Sequence, residues 1–241
     1  MKRYWFLFLL LFFVSLNLRA DDPWKAKSYK QWDQKEVQQV LTSSPWARQV
    51  TVANTWSGSG GGGAPASGSR VDELERTGSI NQTAMGGPSR TEAAFVVRWV
   101  SARTVRQAFA RGVMLRGQSE AEAEKVVAQE PDEYQLAVLG VDMTPFSQAD
   151  EKAVEEMKAK TFLQSKKTKA RIAASSIRLQ RSEDGKKLVT VYFTFPKKSA
   201  GGELSIPADE KSVEFNCSVG KVNIKTTFEL SKMTGEKGVD L

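Results

Sequence analysis

Histidine is absent from this chain of 241 residues, and there is one cysteine. Histidine changes charge nearest neutral pH and is the commonest general base and metal ligand. Its absence excludes a Ser-His-Asp triad, a Cys-His pair and any histidine-built zinc or copper centre. Carboxylate chemistry, a Ser-Lys pair and oxygen-held calcium or magnesium survive that exclusion, but none of them leaves a recognisable spacing. No cofactor or metal is therefore expected. A lone cysteine, Cys217, excludes an internal disulfide, so the fold has to be held by its core. Long apolar runs are also missing beyond the first residues, and no period of 20 to 50 residues repeats.

The N-terminus carries what the rest lacks. Lys2 and Arg3 precede an apolar run from Tyr4 to Val14, and Ser15 to Ala20 lead into Asp21-Asp22. That is the pattern of a secretory signal peptide with cleavage expected after Ala20. The run falls short of the roughly 20 residues that span a bilayer, so no stable transmembrane span is expected after cleavage. An uncleaved inner-membrane anchor is the alternative. The expected location is periplasmic or extracellular, and Cys217 lies too far from the cleavage region to be acylated there. Lys and Arg exceed Asp and Glu by seven across the chain. Losing Lys2, Arg3 and Arg19 leaves +4, a mildly basic protein suited to anionic envelope polymers or lipids.

The mature chain opens with Trp24, Trp32, Trp46 and Trp56. Asp33 with Glu36 forms a capping box ahead of Val37, Val40 and Leu41, one apolar helix face, and Trp32 and Val37 have the spacing of a hydrophobic staple. Ser44-Pro45 ends that helix, and a strand is expected from Trp46 to Ala53. The tryptophans are expected to pack this helix onto the fold rather than to form a stacking platform for sugars. Residues 57 to 90, glycine- and serine-rich at first, read as a long flexible loop inside one domain. They lack the Lys-Ser/Thr pair of a phosphate loop.

Ala94 to Val100 reads as a buried strand. Ala102 to Met114 reads as a helix with Val105, Ala108, Phe109 and Val113 inward. Arg103, Arg106 and Arg111 lie off that face and are the candidate ligand-binding residues, a basic surface for phosphate, lipid or an acidic glycan. A second helical stretch starts at Glu120 and stops before Pro131. Tyr134 to Val141 is a nearly continuous apolar strand. Ser147 and Asp150 cap a third helix with Val154, Met157 and Phe162 inward, and Lys166, Lys167, Lys169 and Arg171 then suit the negative end of its dipole. Ile177–Leu179 and Leu188–Phe195 flank Glu183-Asp184-Gly185, a hairpin. Val213 to Val219 and Val222 to Leu230 alternate in the same way, with Cys217 as a buried small hydrophobe. These strands predict a C-terminal antiparallel β-meander over about 172 to 231, either part of the main domain or a small domain of its own.

Three blocks carry a resemblance. WDQKEVQQVLTSSPWARQV (Trp32–Val50), VRWVSARTVRQAFAR (Val97–Arg111) and KTTFELSKMTGEKGVDL (Lys225–Leu241) resemble a family of uncharacterised secreted bacterial proteins. That family has no established activity, so the resemblance implies export and a shared fold and assigns no role to any residue.

The expected architecture is α+β, one domain from residue 21 to 241 with a mixed or antiparallel sheet and three or four helices packed on one side. The expected function is that of an exported, non-enzymatic cell-envelope protein. Its partner would be an anionic envelope component or another envelope protein, with nucleic acid excluded by export and by the scatter of the lysines. The alternative is a carboxylate-based glycan hydrolase, which needs two facing acids and no histidine.

Overall fold

The computed structural model describes residues 22–53, 92–147, 150–235 and 238–241. The expected signal peptide, Trp56 and the expected loop at 57–90 lie outside the described residues. Helix α1 (Pro23–Ala26) and a 3-10 turn (Tyr29–Gln31) lead into α2 (Gln34–Thr42). The expected capping box starts α2: Glu36 N–H donates to Asp33 Oδ1 and Asp33 N–H to Glu36 Oε2, both at 2.8 Å. Trp32 and Val37 are both buried beside it, as the staple requires.

Strands β1 (Ala47–Ala53) and β2 (Glu92–Trp99) come next, and α3 (Arg103–Leu115) and α4 (Glu120–Ala128) lie between β2 and β3 (Glu133–Gly140). After α5 (Thr144–Ser147) and α6 (Glu151–Ala159) come β4 (Phe162–Ser165), β5 (Arg171–Ala173), β6 (Ser176–Arg181) and β7 (Leu188–Pro196). β8 (Ser212–Val219) and β9 (Val222–Glu229) follow, and a two-residue pair, β10 (Thr234–Gly235) with β11 (Gly238–Val239), closes the chain.

Two antiparallel sheets result, one ordered β1-β2-β3-β7-β6 and the other β5-β4-β8-β9. The α+β expectation therefore holds. The four C-terminal strands pair as expected within β6–β7 and β8–β9, but the two hairpins belong to different sheets. Alternation assigns a residue to a face, and both hairpins turn an equally apolar face to one shared core. Trp99 of the first sheet meets Phe228 of the second at 5.2 Å, and Phe193 meets Phe215 at 5.4 Å, both edge to face.

The third helix differs from its expectation at both ends: Ser147 closes α5, so Asp150 alone caps α6. Phe162 is not on the third helix, which stops at Ala159. The Thr161 hydroxyl donates to Met157 O at 2.7 Å and Thr161 N–H to Lys158 O at 3.1 Å, which closes the last turn. Phe162 then begins β4, so the basic residues after it sit on a β-hairpin and not at a helix terminus.

The opposite face of β2 presents Val96 and Arg98. Arg98 Nε donates to Leu41 O of α2 at 2.7 Å, and its guanidinium lies 5.4 Å from the Phe109 ring centre of α3. Leu41 of α2 and Phe109 of α3 thus reach Arg98 on this face, while the apolar residues Val37, Val40, Leu41, Val105 and Ala108 of the same helices share the core on which the second sheet packs. Strand spacing is tight at Gly140, opposite Phe95: a methyl group there would stand 2.7 Å from the Phe95 ring. Gly140→Ala is expected to cost about 1–3 kcal/mol of stability by overpacking, measured by urea unfolding. Among the described residues no helix is long and apolar enough to cross a membrane.

Candidate functional site

The site starts from a capping problem. Helix α3 has thirteen residues, so its first N–H groups present a substantial partial positive charge. Its N-cap residue is Ala102, which has no side-chain oxygen to offer. Ser101 is the nearest candidate, but its hydroxyl accepts from Gln135 N–H at 3.1 Å and is committed to β3. The cap comes from the far end of the chain. Asp240 Oδ1 accepts from Arg103 N–H at 2.6 Å and Oδ2 from Thr104 N–H at 2.8 Å. Trp46 Nε1–H donates to Asp240 O at 2.8 Å, and Asp240 N–H donates to Met233 O at 2.8 Å. Those four bonds moor a terminal segment whose other described residues are mostly exposed.

Around that mooring lies a cleft of about 650 Å³, walled by the α1–3-10 segment, the first turns of α3, the end of α4 and the C-terminal segment. Trp24 and Tyr29 contribute half-buried rings to one wall. The opposite walls carry Arg103, Arg106, Lys197 and Glu130, with Asp240 between them.

The cations divide by employment. Arg106 Nη1–H donates to Val127 O at 2.6 Å and also to Gln129 O, so it ties α3 to the end of α4. Burial lowers its pKa, while Asp240 and Glu130 work the other way. Lys197 Nζ donates to Pro131 O at 2.7 Å over the Tyr134 ring, and burial likewise lowers its pKa. Lys30 is held by Glu120 and Glu124. Arg103 is exposed on the cleft wall, and among the described residues its guanidinium faces no carboxylate within ion-pair distance.

Of the three arginines singled out from the sequence, Arg103 and Arg106 are brought together on the cleft. Arg111 is not among its lining; its Nε–H donates to Trp32 O at 2.6 Å and fastens α3 to the N-terminal segment. Asp240 and Lys197 carried no sequence signal of their own. The only hint to Asp240 was negative, a strongly patterned helix starting without a capping residue.

Of the N-terminal tryptophans, Trp32 and Trp46 are fully buried, which matches their expected packing role, whereas Trp24 is half-buried on the cleft wall. Cys217 is buried too, and its thiol pKa is pushed up to about 12 by that burial. It is a core methyl-sized filler with no thiolate to offer. Among the described residues no three His, Cys, Asp or Glu side chains gather where a metal ion could sit.

Asp240→Ala is expected to cost about 1–2 kcal/mol, the worth of a helix N-cap with a favourable charge at the dipole. Urea unfolding checks this. An unchanged midpoint would mean that α3 needs no cap from the C-terminal segment.

Fold and site together define an α+β protein of two antiparallel sheets on one core, with a mixed-charge cleft closed by its own C-terminal segment. Comparison of the chain with protein-family models, curated proteins and solved structures returned no match.

Proposed function

We propose that this is an exported, non-enzymatic cell-envelope protein that binds an anionic group of an envelope polymer, lipid or partner protein in the cleft beside α3. The observation that carries this reading is the capture of a carboxylate there. Asp240 is held by two backbone N–H groups at the start of α3, with Arg103, Arg106 and Lys197 around it. The start of α3 thus favours a negative group, and with its two N–H donors taken by Asp240 the side-chain cations on the cleft wall are what meets an external anion. Arg103 supplies the exposed cation, and Trp24 and Tyr29 supply ring faces beside it.

A glycan hydrolase is the second reading, and the cleft favours it less. Two facing acids about 5 to 9 Å apart are required. Glu124 is engaged by Lys30 and Asp240 by α3, which leaves Glu130 without a facing partner of its own kind in the lining.

Co-sedimentation of the mature chain with isolated membranes and with cell-wall sacculi, at low and at high salt, tests the proposal. Salt-sensitive pelleting is expected, since exposed charges are screened within about 8 Å at physiological ionic strength. Arg103→Ser is expected to weaken it. Pelleting with neither fraction, or pelleting that ignores Arg103, would overturn the assignment to this cleft.

A further inference from the structure

The second sheet presents a surface that the cleft does not use. Alternation along β4, β8 and β9 turns Leu163, Phe215, Cys217 and Ile224 into the core and Gln164, Glu214, Asn216 and Lys225 outward. Beyond β4 the chain reverses through Lys166, Lys167, Thr168, Lys169 and Ala170 into the edge strand β5. Three lysines therefore share one hairpin tip, with Arg171 directly after it.

Their partners separate them into two kinds. Glu214 takes Lys166 and Lys225, the latter at 2.9 Å, together with Asn216 Nδ2–H at 3.1 Å. Burial alone would raise the Glu214 pKa, yet those hydrogen bonds hold it at about 2. Two cations on one buried carboxylate leave a net positive charge at that point. Lys167 pairs with Asp209. Lys169 and Arg171 have no acidic partner among the described residues, and Arg171 lies 4.2 Å over the Phe162 ring.

Lys169 also stands in a conformation that lysine rarely adopts. Its φ is +61°, the left-handed region that glycine and asparagine occupy readily. The hairpin enforces this. Lys169 N–H donates to Ser165 O at 3.1 Å, Gln164 Nε2–H donates to Lys169 O at 3.0 Å, and Thr168 N–H donates to Ser165 Oγ at 2.9 Å. Other backbone donors near the tip are spent on the neighbouring segment, since Lys166 N–H donates to Ser212 O at 3.2 Å, and the Lys169 side chain is left exposed. A glycine would relax the turn. Here the chain displays an unpaired cation at a conformational cost, and such outliers concentrate at binding surfaces.

We infer that the outward face of the second sheet, from Lys225 across Lys166 to Lys169 and Arg171, docks a linear polyanion. Lysine binds as a compact point charge without a directional fork, which suits a charged polymer held by its repeated charges. An anionic bilayer fits less well, because among the described residues no large apolar side chain is exposed on this face for insertion. The exposed large apolar residues Leu115, Val141, Leu204 and Val239 lie on other elements, and Arg171 covers Phe162. This surface is independent of the cleft reading.

The test titrates the mature chain with polyphosphate, and separately with phosphatidylglycerol vesicles, at two salt concentrations. Lys169→Gly is expected to weaken polyphosphate binding about fivefold, the loss for one lysine near an anionic surface. The urea midpoint of the same variant should hold or rise, because glycine relieves the turn. Lys186→Ser, at the exposed β6–β7 turn, and Arg103→Ser, in the cleft, should leave polyphosphate binding unchanged. The proposal is overturned by no binding of polyphosphate, undiminished binding by Lys169→Gly, an equal loss in Lys186→Ser, or vesicle binding at least as tight as that of polyphosphate. A loss in Arg103→Ser alone would move the polyanion to the cleft and overturn it as well.

Discussion

Trp46→Ala is expected to lower the stability of the protein by about 3–5 kcal/mol, the usual cost of emptying a buried tryptophan site. The side chain is fully buried and meets Trp24 edge to face at 5.6 Å. Its backbone carbonyl accepts from Trp99 N–H at 2.8 Å, and its indole N–H holds Asp240 O at 2.8 Å. One residue therefore joins the N-terminal segment, strand β2 and the C-terminal segment; alanine keeps the backbone bond to β2 but loses the ring packing on Trp24 and the bond to the C-terminal segment. Small domains are stable by about 5–15 kcal/mol, so the variant should sit near its unfolding transition. Trp46→Phe keeps a ring and loses only the indole donor. It should cost less, and its effect should combine with that of Asp240→Ala to less than the sum, because both release the same C-terminal segment. Urea unfolding of the single and double variants decides this. A loss below about 1 kcal/mol for Trp46→Ala would remove the N-terminal tryptophans from the cooperative core.

Local order was readable where a few neighbouring residues settle it. Asp33 and Glu36 announce α2 because both partners of the capping box lie within one turn. Asp184-Gly185 announces the β6–β7 turn, and Gly185 has the positive φ, 70°, that such a turn asks for. Cys217 could be placed in the core because its strand neighbours Phe215 and Val219 share its parity. Partnerships between distant segments left no such trace. Nothing near Arg103 points to Asp240, 137 positions away along the chain, as its capping carboxylate. The division of β6–β7 and β8–β9 between two sheets is equally silent, since two apolar faces that meet look the same in sequence as one face that continues. The basic candidates show the limit most clearly. Arg103, Arg106 and Arg111 share a helix and a charge, yet one is exposed on the cleft, one holds the end of α4 and one holds the N-terminal segment. What a guanidinium does is set by which carbonyl the fold brings within reach.

Arg98 extends that point into the core and gives the second large effect. It lies in β2 between Val97 and Trp99 and is 1% exposed, although its sequence neighbourhood reads as one more basic residue near α3. Burial pushes its pKa down to about 10, so it remains charged at neutral pH. Its Nε–H donates at 2.7 Å to Leu41 O, one of the last carbonyls of α2, which have no helical donor of their own. A cation at that end also meets the negative pole of the helix dipole. The stem is buried with the rest of the residue, and the Phe109 ring lies beside the guanidinium. Arg98→Ala removes the stem and strands the Leu41 carbonyl, and is expected to cost about 3–5 kcal/mol. Arg98→Met restores most of the volume without a donor, so it isolates the polar part and should cost about 1–3 kcal/mol. The order parent, methionine, alanine in urea midpoint is the expected result. Methionine matching the parent would show that the bond to Leu41 contributes nothing net and that Arg98 is held there by its stem alone. Methionine falling as far as alanine would mean that the guanidinium itself fastens α2 to the sheet.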